Sequence, residues 1–185
     1  MNTKDLRKPL KLSELDFRIQ SINKGKYATI LVYKDARADM NRLDDVCGVL
    51  GWKREHSRDN KNCTVSIWDD ANKQWVSKED TGTESAAEAQ KGMASDSFKR
   101  ACFNLGIGRD LYEYPAISVK LNDDEVTEFN GKFKQSFNLK LKEWVWAKQI
   151  DDKGNIIFLA AKDQNDKSRY TFGTYDALLE LEKSK

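Results

Sequence analysis

The chain has 185 residues, of which 39% are hydrophobic and 34% charged, so it can bury a core beneath a very polar surface. Basic residues number 32 and acidic residues 30, which gives a formal net charge of only +2. The total charge therefore does not indicate nucleic-acid binding, because any basic surface must come from local clustering of Lys and Arg.

The cysteines and the start of the chain indicate a reducing compartment. Cys47, Cys63 and Cys102 are odd in number and far apart, and their spacing fits neither a metal site nor a disulfide framework. Residues 1–11 lack the apolar run of a signal peptide, and no stretch is long and apolar enough to cross a bilayer. We therefore expect a cytoplasmic protein.

The first elements in chain order are a helix, a strand and a second helix. Ser13 begins a cap-like Ser-Glu-Leu-Asp sequence, which predicts a short helix over residues 13–22. An apolar, β-prone run predicts a buried strand over residues 27–33. Residues 36–46 favour a helix, and the glycine at position 48 closes it.

A β-meander and a long helix follow. Residues 52–58, 63–68 and 75–79 predict three antiparallel strands, since turn-rich sequences separate them. Ser85-Ala86-Ala87-Glu88 matches a capping box, and Gly106 marks the predicted end of the helix that it begins. Apolar residues spaced at the helical period form one face of this helix, and we expect this face to pack on the meander. The members of the face are Ala87, Ala94, Phe98, Ala101, Cys102 and Leu105.

The character of the chain changes after Pro115. Residues 137–146, 156–161 and 169–172 predict further strands, and a short helix is predicted from Thr174. The predicted fold class is α+β, an antiparallel β-meander packed on a long helix (a β-β-β-α core) with a small C-terminal β-rich extension. We expect a core domain over residues 1–115 and an extension over residues 116–185, which is part of the same globule or an oligomer contact.

Few residues suggest catalysis. His56 is the only histidine and has no nucleophile motif nearby, and Gly106-Ile107-Gly108 follows a predicted helix rather than a strand, which favours a helix stop over a dinucleotide site. Glu79, Asp80 and Asp96 are the best candidates for a metal-dependent nuclease, but a strand-borne carboxylate-x-Lys element is lacking. We expect no enzymatic activity, no cofactor and no metal site.

Basic and aromatic side chains are the more informative feature. Lys99 and Arg100 are adjacent in the predicted long helix, Lys91 lies about two turns earlier, and Arg109 follows the helix end. Arg54 lies on a meander strand, and aromatic residues such as Tyr33 and Trp52 are suited to stacking on bases. Such a cluster can neutralise phosphates, although Lys and Arg also occur as ordinary solvated surface residues.

The sequence around Lys99 resembles a known family. Asp-Ser-Phe-Lys-Arg-Ala at residues 96–101, continuing to Leu-Gly-Ile-Gly-Arg-Asp-Leu-Tyr at residues 105–112, is similar to the signature of the Rad fifty-two family of single-strand annealing proteins. The form resembles bacteriophage and bacterial members. Residues 33–52 and the Glu-Asp-Thr-Gly exit at residues 79–82 agree with the family in order and spacing. The resemblance covers residues 15–112, about half the chain.

This resemblance implies a homo-oligomer, in rings or helical arrays, that binds single-stranded DNA in a positively charged groove and presents it to a complementary strand without hydrolysing a nucleotide. It implies that Lys99 and Arg100 contact phosphates and that Arg18, Tyr33 and Lys91 belong to the groove. Eukaryotic members carry a further arginine where this chain has Phe103.

Candidate protein partners are a single-strand binding protein or an exonuclease, in the cytoplasm of a bacterial host if the chain is encoded by a phage. The alternatives are a single-stranded DNA-binding module that does not anneal and, less favoured, the nuclease.

Overall fold

The computed structural model describes residues 3–83 and 89–173. Among these residues it contains two α-helices and eleven strands in antiparallel sheets, so the fold is α+β as predicted. In chain order the elements are β1 (Leu15–Ile22), β2 (Tyr27–Lys34), α1 (Ala36–Cys47), β3 (Trp52–Ser57), β4 (Asn62–Asp69), β5 (Gln74–Thr81), α2 (Ala89–Leu105), β6 (Ile117–Lys120), β7 (Val126–Phe129), β8 (Lys132–Gln135), β9 (Val145–Ile150), β10 (Ile156–Lys162) and β11 (Ser168–Phe172).

The chain divides into two compact units. Unit 1 comprises the described residues of Met1–Leu10 and Lys34–Arg109, and unit 2 comprises those of Lys11–Tyr33 and Asp110–Lys185. Residues 11–33 therefore group with the C-terminal strands. The expected division into a core domain and an extension at residue 115 stays a prediction.

Unit 1 contains the predicted β-meander. Strands β3, β4 and β5 pair antiparallel in that order, with Arg54 opposite Val65 and Val65 opposite Lys78. Alternation along β4 buries Cys63, Val65 and Ile67 on one face. Each strand begins and ends within two residues of its predicted limits, because turn-forming residues separate the strands in the sequence.

Helix α2 packs on this meander. Its side chains Phe98, Ala101 and Cys102 are fully buried in the same cluster as Val65, which confirms the predicted apolar face there. The helix is described over 17 residues, and the predicted capping box at residues 85–88 lies outside the described residues, so the long helix is supported only in part.

The predicted end of α2 at Gly106 is confirmed. Gly106 has a φ of +108°, in the left-handed region that favours glycine. The Ile107 amide donates to the Cys102 carbonyl at 3.1 Å, and the Gly106 amide donates to the Phe103 carbonyl at 3.0 Å. These bonds satisfy carbonyl groups that a helix end leaves without partners.

The helix predicted over residues 13–22 is wrong, because Leu15–Ile22 is strand β1 and only a 3-10 turn at Leu12–Glu14 precedes it. Leu15, Phe17 and Ile19 are more buried than the residues between them, Asp16 and Arg18. That alternation has the period of two that is typical of a strand, and it outweighs the cap-like start.

Unit 2 contains two three-stranded sheets, in the orders β1-β2-β6 and β11-β10-β9, and the hairpin β7-β8. Its core includes Ile30, Ile117, Leu159 and Trp144. Strands β10 and β11 confirm two of the predicted strands. Strands β6, β7 and β8 were not predicted, and the helix predicted from Thr174 lies outside the described residues.

The strand predicted over residues 137–146 is largely wrong. Strand β9 begins only at Val145, and a 3-10 turn occupies Leu141–Glu143. Leu139, Leu141 and Trp144 are buried while the residues between them are more exposed. Their spacing of two and then three residues departs from the period of two of a strand.

Candidate nucleic-acid interface

Helix α2 places Lys99 and Arg100 beside its buried face. Phe98 and Ala101 point into the core, so the two basic side chains between them leave the helix away from it. The Arg100 side chain is half exposed and its Nε donates to Asp80 Oδ1 at 3.4 Å. The second oxygen of Asp80 accepts from Asn104 at 3.2 Å. Arg100 is therefore directed toward the end of β5 and partly neutralised there.

Lys99 lies near acidic groups of α1. Hydrogen bonds from Arg37, and a smaller effect of the Lys99 charge, hold the pKa of Asp35 below its usual range. Burial raises the pKa of Asp39 to about 6, although the nearby charges of Lys34 and Lys99 oppose the rise. Asp39 also forms a buried ion pair with Lys34.

Arg54 lies on the meander next to the same part of α2. Its guanidinium carbon is 4.8 Å from the centre of the Phe98 ring. Phe98 directly precedes Lys99 in the chain. A cation at this distance from an aromatic ring is held by the electrons of the ring. The structure therefore associates Arg54 with the segment that carries Lys99 and Arg100.

Arg109 has a structural role at the end of α2. Its Nε donates to the Phe103 carbonyl at 3.0 Å and its Nη2 donates to the Asn104 carbonyl at 3.1 Å. Its guanidinium also lies 5.7 Å from the Phe103 ring. Arg109 thus caps the helix. The backbone of Lys91 belongs to α2, but its side chain lies outside the described part of the chain.

Arg18 and Tyr33 lie together in unit 2. They come from the neighbouring strands β1 and β2, and the Arg18 guanidinium is 5.2 Å from the centre of the Tyr33 ring. The predicted site residues therefore fall in two sets, with Arg54, Lys91, Lys99, Arg100 and Arg109 in unit 1 and Arg18 and Tyr33 in unit 2.

The acidic residues considered for a nuclease are held by separate partners. Glu79 accepts hydrogen bonds from Asn62 at 2.6 Å and Thr64 at 2.9 Å, whereas Asp96 accepts from the Thr83 amide at 2.9 Å. Across residues 3–83 and 89–173, no group of three or more His, Cys, Asp or Glu side chains is placed to hold a metal ion. None of the helices in those ranges combines the length and the apolar character needed to span a bilayer.

One basic and aromatic surface was missed by the sequence reasoning. Lys134, Phe137, Lys140 and Lys142 line a groove in unit 2 together with Arg18 and Tyr33. Lysines interleaved with phenylalanines over residues 132–142 are the sequence signal for it. The strand predicted over residues 137–146 covers part of this segment and masks the signal.

The comparisons with known proteins give one partial match. No protein-family model matches the chain, and no solved structure is significantly similar to it. The match is to a single-stranded DNA-binding protein of Deinococcus radiodurans. This relative is DdrA, and the two sequences are 36% identical over 90 residues. The matched region covers 48% of this chain and 43% of DdrA, so the chain spans less than half the length of that relative.

Proposed function

We propose that this chain binds single-stranded DNA and anneals complementary strands without ATP, as a homo-oligomer acting in DNA recombination and repair. The observation that carries the proposal is the Lys99–Arg100 pair, which leaves α2 beside the face that packs on the β-meander. The partial likeness to DdrA supports the binding step, because DdrA is a single-stranded DNA-binding protein.

The binding step is electrostatic. Each phosphate that a lysine or arginine neutralises releases condensed counterions, which favours binding and makes it sensitive to salt. Lys99 and Arg100 are carried on a helix whose buried face fixes its position, so their spacing is set before DNA arrives. Arg54 and the Arg18–Tyr33 pair are the further contacts that we assign to the strand, and Tyr33 supplies a ring for base stacking.

The annealing step needs no bond-making chemistry. A strand held by its phosphates keeps its base edges accessible, and pairing with a complementary strand then provides the driving force. The net charge of only +2 suits this function, because a strongly basic protein would retain the duplex product.

The test is to mix two complementary oligonucleotides with the protein in the absence of ATP. We expect pairing to be faster than in the protein-free control and slower again with the variant Lys99→Ala/Arg100→Ala. Pairing no faster than the control would overturn annealing. If the strands were nevertheless bound, the protein would be a single-stranded DNA-binding module, which is the function that the name of DdrA specifies.

A control experiment addresses the nuclease alternative. Labelled single strands incubated with the protein and magnesium should remain intact. Glu79 and Asp96 are engaged by Asn62 and Thr83 respectively rather than assembled around a shared ion position. Cleavage that is lost in Glu79→Gln would reverse this assignment.

A further inference from the structure

An open groove runs along the edge strand β1 of unit 2. Strand β1 is the first strand of the sheet β1-β2-β6, and the groove lies between it, strand β8 and the 3-10 turn at Leu141–Glu143. Its volume is about 720 Å³, within the usual range of roughly 300–1,000 Å³ for ligand sites. Six consecutive residues of β1, Phe17 to Ile22, line it, although Phe17, Ile19 and Ile22 also pack against the core of unit 2.

The lining is strongly cationic. Arg18, Lys134, Lys140 and Lys142 contribute positive charge, against a single carboxylate from Glu143. Within the described residues, the side chains of Lys134 and Lys142 form no hydrogen bond or ion pair. Other exposed lysines of the chain do, since Lys73 pairs with Asp70 at 2.7 Å and Lys162 with Asp166 at 2.8 Å. The groove therefore retains unneutralised charge, and the complementary ligand is an anion with several charges.

An aromatic ring stands at the same groove. Phe137 is 87% exposed, and the Lys140 ammonium lies 3.5 Å from the centre of its ring. Such a pair combines a flat apolar surface with a positive charge, which is the combination that binds a nucleobase and its phosphate.

The loop that carries Phe137 is held in place by neighbouring backbone groups. The Ser136 amide donates to the Glu125 carbonyl at 2.8 Å, and the Asn138 amide donates to Ser136 Oγ at 3.1 Å. The opposite wall is also anchored, because Phe17 stacks on Trp146 with ring centres 3.9 Å apart and nearly parallel planes. The backbone is thus held on both sides of Phe137, and the ring is left exposed to solvent.

We propose that the single-stranded DNA contact of Arg18 and Tyr33 extends along this groove, where an unpaired base stacks on Phe137 while Lys134 and Lys142 hold the flanking phosphates. The inference rests on the proposed function and adds residues beyond the segment that resembles the annealing family. An edge strand can also accept a peptide strand. The excess of cations over Glu143 and the exposed ring favour a polyanion that carries flat bases.

The test compares an oligothymidylate with an abasic oligonucleotide of the same length by fluorescence anisotropy. Phe137→Ala should weaken oligothymidylate binding at least five-fold and leave abasic binding unchanged, because stacking on one base is worth about 1–3 kcal/mol. Lys134→Ala/Lys142→Ala should weaken both ligands and make the salt dependence shallower, by about 1.4 in the slope of log K against log salt.

Two matched variants serve as controls. Phe129 is 76% exposed on β7 and Lys132 is exposed on β8, and neither lines the groove. Phe129→Ala and Lys132→Ala should therefore bind both ligands as the wild type does. Circular dichroism of every variant checks that unit 2 is folded, and 5-iodouracil placed in the oligonucleotide should crosslink to the segment that contains Phe137.

The outcomes separate this inference from the proposed function. If the wild type binds oligothymidylate but Phe137→Ala behaves like Phe129→Ala, the groove is not a base-stacking site, while the proposed function stands. Competition by polyglutamate that is as effective as that by oligothymidylate, and that is lost in Lys134→Ala/Lys142→Ala, would identify a peptide groove and overturn the inference. A wild-type protein that binds no single-stranded DNA would overturn both.

Discussion

Lys99 and Arg100 are adjacent in the chain but differ in their electrostatic surroundings. Arg100 is paired with Asp80 near the end of β5, whereas Lys99 lies near the carboxylates of α1 and affects the pKa of Asp35. Helical geometry explains the difference, because successive residues are about 100° apart around the axis. The two cations therefore contribute separately to any phosphate contact.

Replacing both residues tests them as a site. Lys99→Ala/Arg100→Ala should weaken single-stranded DNA binding and make the slope of log K against log salt shallower by about 1.4, since each phosphate contact contributes about 0.7 on single strands. Anisotropy titrations over a series of salt concentrations measure both quantities. Lys153→Ala/Lys167→Ala removes two exposed charges from turns of unit 2 and should have a much smaller effect.

Unchanged affinity and slope in Lys99→Ala/Arg100→Ala would remove these residues from the site. Circular dichroism is a necessary control, because the aliphatic part of a lysine or arginine side chain can cover apolar surface.

Asp80 offers a prediction of opposite sign. Asp80→Asn removes the carboxylate that pairs with Arg100, so the affinity for single-stranded DNA should rise about two- to five-fold, comparable to the worth of an exposed ion pair. The same titrations measure the change. Weaker binding would show instead that Asp80 positions the Arg100 guanidinium for DNA.

Arg109 stays a predicted DNA contact, and its hydrogen bonds also give it a role in stability. Arg109→Ala should lower the free energy of unfolding by about 1 kcal/mol, because two carbonyl groups at the end of α2 lose their side-chain donors. Urea unfolding measures this, with Lys24→Ala in an exposed loop as the control. An unfolding free energy equal to that of the wild type would favour a contact with DNA alone.

At the scale of elements, prediction succeeded where local signals agreed. In the meander, the alternation of apolar and polar residues and the turn residues both indicate the same strands. At the end of α2, a glycine occupies the position that requires a left-handed backbone. Residues 13–22 contain conflicting signals, a cap-like start and a strand period, and the pairing of β1 with β2 decides between them. Strands β1 and β2 are joined by only four residues, so the turn at residues 23–26 is the local signal that favours a strand over a helix.

A buried ion cluster connects elements of unit 2. Arg169 of β11 donates to both oxygens of Glu125, at 2.8 and 2.7 Å, and to Asp163 at 3.0 Å. Its guanidinium also lies 4.6 Å from the Trp144 ring. Arg169 and Glu125 are almost fully buried, at 4% and 7% exposure of their side chains. Removal of one partner leaves a buried charge without compensation.

Arg169→Met should therefore lower the free energy of unfolding by about 3–5 kcal/mol.

Burial alone would raise the pKa of Glu125, but hydrogen bonds from Arg169 and from the Asn122 backbone hold this pKa below its ordinary value of 4.5. A lowered folded-state pKa contributes stability above pH 4.5 that is lost as the pH falls through the folded-state value. Urea unfolding of the wild type over an acidic pH series should show this loss.

Glu125→Gln is the matched variant for the pH dependence. It keeps the shape of the side chain but removes the titrating group, so its stability should decline less on acidification than that of the wild type. A decline equal to that of the wild type would assign the acid sensitivity to other carboxylates.

At the scale of the whole molecule, the proposed annealing function requires an assembly. A monomer has a mass of 21.3 kDa, and light scattering after gel filtration should give a several-fold multiple of it. Particle images with and without single-stranded DNA should show rings or helical arrays, with the strand following their basic surface. A monomer under both conditions would contradict the oligomeric mechanism and favour a simple binding module.

The sequence by itself determined the α+β class, the meander, the buried face of α2 within its described part and the glycine end of that helix. These features depend on periodicity and turn chemistry, which act over a few residues. Only the tertiary structure decided that β1 is a strand, that Arg109 caps α2 and that Asp80 partly neutralises Arg100. It also brought Arg18 of β1 beside the groove residues of the 132–142 segment. The Asp80–Arg100 pair and the groove depend on contacts between residues 20 or more positions apart, which local patterns do not encode. Strand β1 and the Arg109 cap involve near neighbours, but their pairing is set only when the chain folds.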